Sequence, residues 1–131
     1  MTTTPASPGR VNIALTGQAE IAKGRLKAYF TDTEGLTLMR LGAAYAIRCG
    51  LSPEREAGFG RPGDGQNANI GSFDPTGEIR ALILALFPDC SDPYVAAETL
   101  MSLGLVRLDE DIRSGRITTL ADAMYSTELE Q

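Results

Sequence analysis

The stretch "RVNIALT", residues 10–16, constrains this chain more than any other. Val11, Ile13 and Leu15 alternate with Asn12, Ala14 and Thr16, which is the period-two pattern of a half-buried strand. Little after Thr16 reads as strand. An isolated strand leaves backbone donors and acceptors unsatisfied, so this one must find a partner. With no second strand in view, the expected partner is the same strand of another copy of the chain.

The remainder reads as helix. Thr16 is placed to cap a helix over about residues 17–30, with Ala19, Ala22, Leu26 and Phe30 on one stripe. "TDTE" (31–34) has the spacing of a capping box with Thr31 as cap, and predicts a second helix running to Cys49, stopped by Gly50 and Pro53. That helix is apolar almost all round, through Leu36, Leu38, Met39, Leu41, Ala43, Ala44, Tyr45, Ala46 and Ile47. Burial on more than one side follows, and sharing the helix with another subunit is the simplest way for a short chain to achieve it. Residues 53–73 are rich in Gly, Pro and Asn and read as a long loop. Asp74 then caps a third helix with Pro75 first, and Ile79, Leu82, Ile83, Leu86 and Phe87 form its core stripe before Pro88 ends it. Asp92 and Pro93 repeat the device for a fourth, whose inner face holds Val95, Ala96, Leu100, Leu103 and Val106. Gly104 stands either at a C-cap or mid-helix, where it would admit close packing of another chain. A further turn fits residues 118–124. The expected organisation is a disordered arm over 1–9, one helical domain over 10–125, and a polar tail over 126–131.

Strand, helix, helix, loop, helix, helix is a mainly α arrangement whose first part, residues 10–52, has the ribbon-helix-helix layout. In that layout two strands pair across a dimer and their ribbon lies in the major groove of DNA. Val11, Ile13 and Leu15 would then face the shared core, joined at the oligomer interface by Leu36, Met39, Ala43 and Ile47. Arg10, Asn12 and Ala14 would face outward, where arginine suits guanine and asparagine suits adenine.

Charge supports that reading in the first half. The whole chain carries −5, but residues 1–50 hold six basic against three acidic residues, and residues 51–131 hold six against fourteen. Lys23, Arg25, Lys27 and Arg40 are candidates for phosphate contact. DNA contacts are expected in the first half and protein contacts in the acidic second half.

Catalytic and metal chemistry find little footing. There is no histidine, and Cys49 and Cys90 are too far apart for a ligand pair and read as reduced and buried. "GFGRPG" (58–63) matches the dinucleotide fingerprint letter for letter, but a helix precedes it and Pro62 follows where a helix should open, so it reads as a linker. "LDEDIR" (108–113) reads as a solvated helix end, since neighbouring carboxylates on a helix point in different directions. No cofactor, metal or small-molecule substrate is expected. No run approaches the roughly 18 apolar residues of a membrane span, and "MTTTPASPGR" has no apolar leader segment, so a cytoplasmic protein is expected.

The order of these segments resembles the DNA sulfur modification protein DndE. The likeness runs through "RVNIALT", "LGAAYAIRCGL", the glycine-bearing loop, "FDPTGEIRALILALF" and "AAETLMSLGLVRL", covering roughly residues 10–110. It implies a non-catalytic accessory protein, related to ribbon-helix-helix proteins, that works beside the enzymes of DNA phosphorothioation. Such a protein binds duplex or nicked DNA through a lysine-rich surface; the unpaired strand and the second helix, apolar nearly all round, add the expectation of a homodimer or homotetramer. This chain has only two lysines, Lys23 and Lys27, and lacks the histidine that the family tends to carry in the fourth helix. Two other readings stand beside this one: an antitoxin-like or repressor-like regulator, and an acidic interaction module that never touches DNA.

Overall fold

The computed structural model describes residues 12–31, 33–60, 62–63 and 67–117. Arg10, Val11, the arm over 1–9, the turn over 118–124 and the tail lie outside them. The chain is mainly helical, with strand β1 (Asn12–Ala14), helices α1 (Gly17–Tyr29) and α2 (Gly35–Arg48), strand β2 (Asn67–Asn69), the short α3 (Ile70–Phe73), α4 (Glu78–Leu86) and α5 (Pro93–Arg113).

The partner of β1 is inside the chain. It pairs antiparallel with β2, Ile13 opposite Ala68, within the stretch expected to be loop. Asn-Ala-Asn carries no apolar alternation, which is why β2 left no periodic signal. The other edge is also occupied: the Ala14 N–H donates to Glu98 Oε2 at 2.7 Å and the Thr16 N–H to Ser102 Oγ at 3.3 Å. Side chains of α5 thus stand where a third strand would pair, and they take up the Ala14 and Thr16 N–H groups that a second copy was expected to meet.

The core has α5 as its axis, with α2 packed along it and α1 beside it. Gly104 is a mid-helix glycine, and what it admits is α2 of the same chain. A Cβ at Gly104 would sit 1.7 Å from the Gly42 carbonyl oxygen, and one at Gly42 would meet Leu105 Cγ at 2.7 Å. This close approach buries α2 on several sides without a second subunit. Ile13, Leu15 and Met39 are fully buried and Ala43 nearly so, while Leu36 and Ile47 are half-buried against the same core. The burial that suggested an oligomer interface for these residues is supplied by the chain itself.

Local signals give a mixed outcome. Thr16 Oγ1 accepts from the Ala19 N–H at 3.1 Å, and Asp92 Oδ1 from the Tyr94 and Val95 N–H groups, as their positions predict. The capping box at 31–34 is not used, because α2 begins at Gly35 with Glu34 as a cap that makes no side-chain bond. Asp74 acts at a distance. A turn through Gly77, at φ 78°, delays α4 to Glu78, and the Asp74 carboxylate accepts from the N–H groups of Ile79 and Arg80, each at 3.0 Å. Only Ile83 of the expected α4 stripe is buried below the surface; Leu82 and Leu86 are 50% and 46% exposed. Both α2 and α5 end in Schellman motifs around Gly50 and Gly115, as the paired bonds Leu51 N–H to Ala46 O and Arg116 N–H to Asp111 O show. Cys49 and Cys90 are not joined to each other in a disulfide and are half-buried rather than buried.

Candidate nucleic-acid interface

The expected basic residues are not alike once folded. Asn12 and Lys27 are exposed. Lys23 is buried at 4% exposure, its ammonium 3.5 Å from Glu20, so it cannot share an open face with Lys27. Arg40 is occupied structurally, donating to the carbonyl oxygens of Phe73 at 3.1 Å and Ser72 at 2.8 Å. It tethers the end of α3 to α2. Arg25 alone of the set joins a cluster.

That cluster lies at the C-terminal end of α5, in the segment expected to be a solvated end. Asp109 and Asp111 are instead buried, on opposite sides of the helix. Asp109 Oδ2 accepts from Arg25 Nη1 of α1 at 2.7 Å and from Arg113 Nε at 3.1 Å. The two arginine side chains remain 49% and 50% exposed. Asp111 accepts from the Tyr45 hydroxyl of α2 and pairs with Arg107 at 3.4 Å and Arg116 at 3.8 Å. The Schellman turn that ends α5 brings Arg116 back over Asp111.

Burying a carboxylate is costly unless it is paired, and here each draws two guanidiniums. The reciprocal effect is that the guanidiniums are held in place. A guanidinium has five N–H donors, so one bonded to a carboxylate keeps donors for a second anion. With Glu110 exposed beside them, the described residues here set four guanidiniums against three carboxylates. Nothing in the sequence alone pairs Arg25 with Arg113, 88 positions apart; the spacing of Asp109 and Arg113, four apart, was the only local signal.

The glycine-bearing loop is docked rather than free. Arg55 donates to Glu98 Oε1 at 2.5 Å and to Thr99 Oγ1 at 2.8 Å, and its guanidinium lies 4.9 Å from the Phe59 ring centre. The Gly63 N–H reaches the Leu15 carbonyl at 3.2 Å. Among the described residues no group of three or more Cys, Asp or Glu side chains is arranged to hold one metal ion, and no helix is long and apolar enough to cross a membrane.

These features define a small helical domain with carboxylate-braced arginines at one end. No family model matches the chain, and the curated proteins and solved structures yield no match either.

Proposed function

We propose that this chain is a non-catalytic DNA-binding accessory protein that contacts the phosphate backbone of duplex or nicked DNA, the role its resemblance to DndE implies in DNA sulfur modification. One observation carries the reading: Arg25 and Arg113 converge on the buried Asp109 while half of each side chain stays in solvent. Bracing lowers the entropy lost when a guanidinium engages phosphate, and the planar fork suits that anion. Lys27, exposed in the last turn of α1, adds a mobile point charge. Such contacts fix position on the duplex without reading bases, which suits a protein that recognises backbone or nicks. A groove-reading ribbon is the weaker alternative, because β1 pairs with β2 and buries Ile13, Ala14 and Leu15. Self-association as a homodimer or homotetramer, assembly with other proteins of a modification complex, and a cytoplasmic location belong to the same proposal.

Retention on intact and nicked duplex across a salt series tests it. Lys27→Gln should reduce the salt slope by about one and the double substitution Arg25→Gln, Arg113→Gln by about two, with equal weakening for all sequences. Because Lys27 is exposed in the last turn of α1, its variant keeps the test open should the arginine variant unfold. Unchanged slopes in both variants, or no retention by the parent at low salt, overturn the proposal.

A further inference from the structure

Helix α4 is the apolar element the fold leaves least covered. Of "EIRALILAL" only Ile83 is fully buried, while Ala81, Leu82, Ala85 and Leu86 are exposed. Glu78, Leu82 and Leu86 follow one another at steps of four and so form one stripe. Leu86 is also the lip of a groove of about 730 Å³ whose apolar walls include Leu51, Pro53, Phe87 and Val95. Stripe and groove are therefore one continuous surface. Its charged side chains are mainly acidic. Glu54 and Asp89 are exposed on the groove, where Asp92 is buried as the cap of α5, and Glu78 heads the stripe. Arg55 also lines the groove, but its guanidinium is bound to Glu98 and Thr99; Arg80 stands two positions from Leu82, off the stripe.

We infer that this surface is the docking site for a basic amphipathic helix of another protein, its apolar face covering Leu82 and Leu86 and its cationic face meeting Glu78, Glu54 and Asp89. The charge complementarity selects the occupant. A second copy of this chain would bring the same acidic stripe against itself, and like charges across a contact disfavour it. Helix-in-groove recognition of this kind uses anchors at i, i+3, i+4 and i+7. The surface shares no residue with the arginine cluster, so DNA binding and helix docking stand or fall separately.

The probe is a labelled synthetic helix with leucines at i, i+3, i+4 and i+7 and lysines elsewhere, followed by fluorescence anisotropy; its counterpart carries glutamates for lysines. The full chain should bind the lysine peptide and bind the glutamate peptide at least about tenfold more weakly. The double substitution Leu82→Glu, Leu86→Glu separates docking from general attraction to an acidic protein. It adds two negative charges, so general attraction would strengthen, whereas docking weakens by about tenfold or more through loss of two apolar anchors. Both side chains are about half exposed, so an unchanged Tm is expected; if the variant unfolds, Leu82→Gln with Leu86→Gln must still weaken binding. Equal or tighter binding by the variant, equal binding of the two peptides, or no binding of the lysine peptide overturns the inference. So does a dimer in sedimentation that Leu86→Glu splits, since a second copy would then occupy the surface.

Discussion

Asp74 and Glu98 are acids whose oxygens satisfy backbone donors, Asp74 those of Ile79 and Arg80 just ahead of it and Glu98 that of Ala14, 84 positions away. Burial acts to raise the pKa of Asp74, but the N–H groups of Ile79 and Arg80, the Tyr94 hydroxyl and the Gly77 N–H outweigh it and hold the carboxyl below 3.8. The same bond, with burial the larger cause, pushes the Tyr94 hydroxyl from 10.0 up to about 12. A raised folded pKa means the stabilisation is complete below the unfolded value and is lost as pH climbs through the folded one. The parent should therefore lose stability between about pH 10 and 12 relative to Tyr94→Phe. At neutral pH that variant should be less stable by about 1.5–3 kcal/mol, the worth of a hydrogen bond to a charged group. Urea melts of both proteins across that range check this; parallel curves would refute it. On the acid side the depressed Asp74 contributes above its unfolded pKa and ceases to contribute as pH falls through the folded one. At Glu98, replacement by Ala orphans the Ala14 N–H and releases Arg55, and should cost about 3 kcal/mol. Glu98→Gln, which keeps an acceptor, should cost clearly less in the same melts.

The α2–α5 crossing decides whether the elements fit together. Gly104→Ala would improve intrinsic helix propensity by about 1 kcal/mol, so an isolated α5 would gain. In the folded chain the new Cβ would fall 1.7 Å from the Gly42 oxygen, which is backbone and has no rotamer to yield. The helices must separate, and a net destabilisation of about 1–3 kcal/mol is expected in chemical denaturation. A stabilised Gly104→Ala variant would show that the crossing is loose. The stop of α2 was legible before any tertiary contact was known, because Gly50 occupies a left-handed position, at φ 74°, that chain-local capping requires; the stop of α5 at Gly115, at φ 85°, uses the same device but was not read from the chain, where Gly104 competed for the role. The start of α4 was not, because Asp74 reaches across a three-residue turn to cap it.

At the scale of the whole molecule, folding redistributes charge that the sequence divides into a basic half and an acidic half. Arg113 of the acidic half joins Arg25 of the basic half on one carboxylate, and Lys23 withdraws into the protein beside Glu20. Lys23→Met should accordingly leave the salt slope of DNA retention unchanged, whereas Lys27→Gln lowers it by about one. Equal effects from the two lysines would mean that Lys23 is reachable by phosphate and is not withdrawn beside Glu20.

The mainly helical character and most helices could be read from the chain, since apolar spacing, a capping Thr16 and Asp92–Pro93 act within a few residues. Those signals are local, and so is the hydrogen bonding they report. What only the tertiary structure decided was which surfaces meet. The strand's partner is the unpatterned Asn67–Asn69, the all-round apolar α2 is covered by α5 through two glycines, and Leu82 and Leu86 are left outside. Periodicity says that a side chain seeks burial; whether the covering surface comes from the same chain depends on contacts between segments tens of residues apart, which carry no periodic trace.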